Sequence, residues 1–442
     1  MRDIVFVTAC LFMAFFAIRR PFIALSLWLW SGLFVPSHWL GGFGASFSYN
    51  TVFALLTMLG YLFLKNKPDF KVTGLFVCVL LFCFHTLLTT QFTIAYFELV
   101  WLEWVKFFKI ILTFIFVCLL VRKKAHFDMV IWAVVLSIGF YGCVEGLKFI
   151  ASFGGHKIAG PNRHLLSDNN HLAVALCMVI PLILYLISQE VNKVLKYILI
   201  AFAALCVLSV LGTHSRGGLL GLTIIGGYFW LRSNNKVVSL VAMCLVLSVA
   251  LFYLPDSWFD RMNTIEQADQ DSSFMHRVTS WKIHTLMAMD HPILGGGFKA
   301  AQYAHLWQLT ALDLDTLSFI PSPEPGEKGL AAHSIYFQVI GDQGFVGFMI
   351  FASILALTYF QLSAVEKYYF NNEKGEHAWE YELAKMLKIS FLAYCSAGAA
   401  LSLAYLELFW ALVGVANGLY MHCLADKRRY SREQVSEKCV VQ

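Results

Sequence analysis

The residues best suited to chemistry gather in one place. Between Pro255 and His333 the chain is polar, whereas elsewhere one apolar run follows another. This stretch carries Arg261, Arg277, Lys282 and Lys299 with many carboxylates. It ends at Ala331-Ala332-His333-Ser334-Ile335-Tyr336-Phe337, where apolar sequence resumes. A basic, histidine-bearing loop between membrane spans is suited to chemistry on lipid-linked groups, with the rest of the chain as its scaffold. A second candidate is the tight hairpin Thr213-His214-Ser215-Arg216-Gly217-Gly218, which sets Arg216 at a membrane face with little room to reach bulk water. An ionisable residue at that depth is costly and functional by default. A snorkelling helix-end arginine is the plainer alternative. The flanking Ser and Gly residues argue against it, because they let another backbone or a ligand come close.

The elements that must hold these residues are apolar. The chain has 442 residues, 59% hydrophobic and only 14% charged, with a mean hydropathy of +0.66. Soluble domains carry about 25% charged residues, so an all-α integral membrane protein is expected. With roughly 20 apolar residues needed per span, about twelve or thirteen spans fit: 4–18, 22–39, 50–64, 72–89, 104–121, 128–150, 171–188, 194–212, 217–231, 237–254, 345–363, 386–403 and 407–424. Basic linkers (Arg19-Arg20, Lys65 with Lys67, Arg122-Lys123-Lys124, Lys193 with Lys196, Arg232 with Lys236, Lys367 with Lys374, Lys427-Arg428-Arg429) alternate with basic-poor ones. That is the positive-inside pattern. It puts the loop 255–332 outside and the C-terminal tail, 426–442, in the cytoplasm. The net charge of +5 follows this distribution and is no sign of nucleic-acid binding. The eleven cysteines lie almost all in apolar runs and read as small buried hydrophobes, with no disulfide framework and no zinc spacing.

Inside the loop, Asp271-Ser272-Ser273 signals a helix start. The helix runs from Phe274 to Met289 and ends before His291-Pro292. Phe274, Val278, Trp281 and Met289 suggest its packed face. Gly295-Gly296-Gly297 lacks a phosphate-loop pattern and reads as a plain turn. Pro321-Ser322-Pro323-Glu324-Pro325-Gly326 reads as an exposed, mobile flap. Asp313-Leu314-Asp315 has a metal-binding D-x-D form, but beside that flap it reads as solvated loop, so no metal site is expected. Glu103 with Lys106 and Glu145 with Lys148 read as structural pairs, and His85 as a satisfied core histidine.

As a set, these pieces resemble the O-antigen ligase superfamily, which also holds O-antigen polymerases and bacterial protein O-oligosaccharyltransferases. The resembling segments are Ser215-Arg216-Gly217-Gly218, Arg277 to Trp281 with His291 to Phe298, His333 to Gln338, and Gly341-Asp342-Gln343-Gly344-Phe345-Val346-Gly347, with Asp168-Asn169-Asn170 before Ala173. The likeness covers about 150 to 365. The opening Met1-Arg2-Asp3 with Arg19-Arg20-Pro21-Phe22-Ile23 is similar to the O-glycosylation ligase branch associated with exosortase systems. Ser334 stands where many members have Asn. The implied organisation is an N-terminal transmembrane region (1–150), a ligase-like transmembrane region (151–425) holding the periplasmic loop, and the tail.

The resemblance implies an inverting, metal-independent, cofactor-free glycosyltransferase in the bacterial inner membrane. It would pass a glycan from an undecaprenyl diphosphate carrier to an acceptor hydroxyl, on a protein such as pilin or on lipid A core, on the periplasmic side. His333 is then the base, and Arg216 and Arg277 are the diphosphate ligands. Arg163, Arg261, Lys282 and Tyr336 are further substrate-contact candidates. A polymerase of the same superfamily would use a second lipid-linked glycan as acceptor. A transporter of lipid-linked sugars would line its path with charges, but the mid-span regions here are nearly free of them. A membrane scaffold would leave Arg216 and the His333 segment without a purpose.

Overall fold

The computed structural model describes residues 2–161, 166–241, 244, 248, 272–371 and 378–440, with no strand among them. Every expected span holds a helix except 237–254, most of which lies outside the described residues, though 22–39 and 386–403 run past helix ends at Phe34 and Ala397. The N-terminal helices are α1 (Arg2–Arg19), α2 (Pro21–Phe34), α3 (Tyr49–Leu62), α4 (Gly74–Gln91) and α5 (Phe97–Leu120). Next come α6 (Lys124–Val134) and α7 (Phe140–Ala151), joined by a π-helical turn, then α8 (Asn169–Gln189), α9 (Lys193–Gly212) and α10 (Arg216–Arg232). The loop supplies α11 (Ser272–Asp290) and the short α12 (Ala304–Ala311). The chain ends with α13 (Ile335–Phe370), α14 (Trp379–Ala397) and α15 (Glu407–Val440).

Six helices among the described residues are long and apolar enough to cross a membrane. The expected count was twelve or thirteen. The difference is partly one of length: α2 and α3 have 14 residues each, about 21 Å of helix against a hydrocarbon core of about 30 Å.

The centre of the bundle is α8, buried along nearly its whole length. Against it packs α14, which also contacts α10 and α13. Gly218 and Gly221 allow α10 to sit close to α8, since a Cβ on either would fall 2.8 Å from Ala173 Cβ or from Cys177 Sγ.

The polar loop is folded where it is described. Its helix α11 lies within two residues of the expected bounds at each end, but the buried face differs. Thr279, Ser280, Ile283, His284, Leu286 and Met287 are buried, while Met289 is exposed. This helix is covered on two sides: α13 packs on one, and a separate apolar cluster with Ala300, Ala301, Leu306 and Trp307 forms on the other. The expected mobile flap is also tied down. Thr279 Oγ1 donates to the Pro323 carbonyl (3.1 Å), Lys282 Nζ to the Ile320 carbonyl (3.1 Å), and Trp307 Nε1 to the Gly326 carbonyl (3.0 Å).

The glycine run forms the expected turn, and its amides are engaged. Helix α13 breaks at Gly344, where φ is +70°, a conformation that favours glycine. The break frees the carbonyls of Gly341 and Asp342. They accept hydrogen bonds from the Gly296 and Gly297 amides at 2.9 Å each. The Gly341 to Gly344 motif and the glycine run therefore form one joint that fixes the start of α13. His85 Nε2 lies 2.9 Å from the Gln343 carbonyl, the satisfied core role expected of it. The two structural pairs form as well, Lys106 with Glu103 at 2.8 Å and Lys148 with Glu145 at 2.6 Å.

Candidate active site

The candidate site is built where several chain ends meet. His333 immediately precedes α13. Its neighbours are pinned from α11: Ser280 Oγ donates to the Ala331 carbonyl (2.9 Å) and Trp281 Nε1 to the Ala332 carbonyl (2.8 Å). The Trp281 ring stacks on Phe337, with centroids 5.1 Å apart. From the other side, the His333 amide donates to Ser402 Oγ (2.8 Å), in the turn between α14 and α15. These contacts hold His333 at φ +48°, uncommon for a residue with a side chain. Such conformations persist where the surroundings over-determine them, often at functional sites.

The motif residues after His333 serve the same frame. Tyr336 donates its hydroxyl to the Cys395 carbonyl (2.9 Å), and Gln338 Oε1 accepts from the Ala404 amide (3.1 Å). Tyr336 is thus engaged in joining α13 to α14.

Two helix N-termini open beside this frame. Asp168 caps α8, accepting from the Asn170 and His171 amides. Ser215 caps α10, accepting from the Gly218 amide at 3.1 Å, which leaves Arg216 as the first helical residue. The two ends are joined, because Asn169 Nδ2 donates to the Thr213 carbonyl (2.7 Å). The first turn of α10 also neighbours the His333 frame. A Cβ on Gly217 would lie 3.5 Å from the Ala397 carbonyl, and one on Gly398 would lie 3.1 Å from Ile335. Helix N-termini carry partial positive charge and free amides, which suits them to anions.

Electrostatics tie the remaining residues to His333. Its pKa is lowered from the usual value, first by burial, then by the charges of Arg277 and His171, with Asp168 opposing. Arg277, His171, Asp168 and His333 therefore share one environment. His284 lies in it too. Burial and His333 push its pKa down to about 4, and its Nδ1 donates to the Ser280 carbonyl at 2.8 Å. That bond places a proton on Nδ1, while burial keeps the ring neutral.

The half-buried His333 is consequently neutral near pH 7 and able to accept a proton. A rate that needs the neutral imidazole falls as pH drops through the depressed pKa. The kcat/KM profile should rise with unit slope at low pH and level off with a midpoint below 6.5. In the kcat profile the midpoint should lie higher, since a bound anion offsets Arg277. Stopped assays between pH 4.5 and 8 would measure both. A midpoint above 7 in kcat/KM would remove His333 from the role of base.

The other residues singled out in the sequence lie elsewhere. Lys282 points to the opposite side of α11, where its ammonium binds the Ile320 carbonyl and Ser322 Oγ. Arg163 and Arg261 lie outside the described residues. Asp313 and Asp315 are exposed in a short 3-10 turn. Sequence reasoning missed His284 and Ser402. His284 follows Arg277 by two helical turns and shares its face, a signal available in advance. Ser402 had no such signal, since only the fold of the α14–α15 turn brings it to residue 333.

Residues 200–352 match the family model described as O-antigen ligase. Residues 1–191 match that of a family of unknown function (DUF5935). No curated protein matches the chain.

Proposed function

We propose that this chain, whose residues 200–352 match the O-antigen ligase family model, transfers a glycan from an undecaprenyl diphosphate carrier to an acceptor hydroxyl on the periplasmic side of the bacterial inner membrane. The acceptor is a protein such as pilin, or lipid A core. The observation that carries this reading is the grouping of Arg277 and His171 with the depressed, half-buried His333, beside the joined N-termini of α8 and α10.

The chemistry follows from the two reactants. The donor's leaving group is a diphosphate, already anionic, and it needs charge neutralisation more than a proton. Arg216 and Arg277 can each give bidentate hydrogen bonds to phosphate oxygens, and the helix N-termini add to the field. The acceptor hydroxyl is neutral and a weak nucleophile. His333 takes its proton as the oxygen attacks the anomeric carbon. The bond from that carbon to the phosphate oxygen breaks, and the electron pair leaves with the diphosphate. Attack from the face opposite the leaving group inverts the anomeric centre. In this reading the arginines supply the positive charge that a metal ion supplies in other glycosyltransferases.

The test is a deletion strain whose glycoprotein and lipopolysaccharide profiles are compared side by side with those of the parent. Loss of glycan from a protein, or of polymer from lipid A core, is the expected result. Polymer chains shortened to one repeat, with ligation intact, would instead make the protein a polymerase and overturn the reading.

A further inference from the structure

A second cluster of chemistry-bearing side chains lies where the start of α14 meets the middle of α15. Glu380 is in the first turn of α14, and His422 and Asp426 lie one turn apart on α15. Ala397 closes α14 and Glu407 opens α15, and the turn between them carries Ser402, which holds the His333 amide. At 1.5 Å per residue the three residues lie about 22–29 Å along the helices from that turn. His422 Nε2 is 3.5 Å from Glu380 Oε1 and 3.6 Å from Asp426 Oδ2. One ligand atom from each of the three residues falls within 4.8 Å of the other two.

Those separations are too long for N–H···O hydrogen bonds, which run at about 2.7–3.2 Å. They suit three ligands around one ion, since metal bonds of about 2.1 Å in tetrahedral geometry set neighbouring ligand atoms about 3.4 Å apart. A second observation points the same way. Glu380 is 6% exposed, and its Oε2 is buried without a hydrogen-bond partner. A carboxylate rarely stays so unless it is paired or coordinates a metal. The surroundings fit a supporting shell. Tyr369 donates its hydroxyl to Asp426 Oδ2 at 2.7 Å, which fixes that carboxylate. The rings of Trp379 and Phe127 lie 5.4 and 6.4 Å from the His422 ring and limit its motion.

We propose that Glu380, His422 and Asp426 bind one divalent cation of the zinc class, joining the start of α14 to the middle of α15. One imidazole nitrogen with two carboxylate oxygens suits Zn²⁺, whereas Mg²⁺ prefers an all-oxygen octahedron. The ion cancels the charge of the paired carboxylates and clamps the two helices whose connecting turn holds the His333 amide. It takes no part in the transfer.

The experiment uses the full chain in nanodiscs, stripped with chelator and titrated with ZnCl₂ or MgCl₂. Bound metal is read by elemental analysis and thermal stability by the unfolding midpoint. The stripped protein should take up one Zn²⁺ per chain and melt at a higher temperature, with no response to Mg²⁺. His422→Gln and, separately, the milder Asp426→Asn should weaken Zn²⁺ binding by about tenfold or more and lose the rise in melting temperature. Absence of stoichiometric Zn²⁺ uptake by the stripped wild-type chain would overturn the proposal. So would uptake of equal affinity by both variants, which would assign the metal to cysteines.

Discussion

Replacing His333 with alanine is expected to lower glycan transfer by about 10²–10⁴-fold, the usual cost of removing a general base, while the protein still reaches the membrane in normal amount. Alanine alone does not settle the cause, because residue 333 sits at φ +48° and any substitution changes the strain there. His333→Asn is the sharper variant. Asparagine tolerates the left-handed region but is no base, so it too should lose transfer. His333→Gly relieves the backbone and should be no better. The competing mechanism puts a divalent ion on Asp313 and Asp315, with no need of a histidine. Both carboxylates are exposed, in a segment without a buried partner to order a metal, so Asp313→Ala with Asp315→Ala should keep most of the transfer. The assay is single-turnover transfer by purified protein from a lipid-linked donor. Near-normal transfer by His333→Asn, or its collapse in the double aspartate variant, would sink the mechanism.

The scaffold was legible in the sequence because bilayer solvation writes itself into composition: apolar runs and the basic linkers between them mark nearly every helix. Three candidates were legible for the same reason. Arg216 and His333 are polar groups at the edge of apolar runs, and Arg277 is a cation one helical turn from Trp281. Contacts made only by the fold were not legible. Lys282 read as a substrate-contact candidate, yet its ammonium holds the Pro-rich segment. That segment looked mobile because composition cannot show the partners that fix it. The buried face of α11 was misread because a helix covered on two sides has no single apolar stripe. Glu380 and His422 are likewise far apart in the chain, so the Asp426 and His422 pair at i, i+4 was the sole sequence trace of that cluster.

Arg216→Lys is expected to lose most of the activity although it keeps the charge. A guanidinium offers two parallel N–H donors to one phosphate, where an ammonium offers a point charge. One charge-assisted hydrogen bond is worth about 1.5–3 kcal/mol, so losing one contact of a bidentate pair should lower kcat/KM by about 10–100-fold. The position makes compensation difficult. Arg216 is the first residue of α10, set by the Ser215 cap at 3.1 Å from the Gly218 amide and by glycines packed against α8 and α14. A shorter-reaching ammonium cannot follow the phosphate by shifting the helix. The fold should hold, because Ser215, Gly217 and Gly218 make the local packing. If Arg216 instead only snorkels to the membrane face, lysine does that equally well and transfer stays near normal. Measuring kcat and KM separately sharpens the outcome. Losing a ligand that grips the departing diphosphate as its charge develops lowers kcat, whereas losing one that only attracts the donor raises KM alone. Near-normal kcat in Arg216→Lys would reduce Arg216 to a general positive charge and leave Arg277 with the helix N-termini to hold the leaving group.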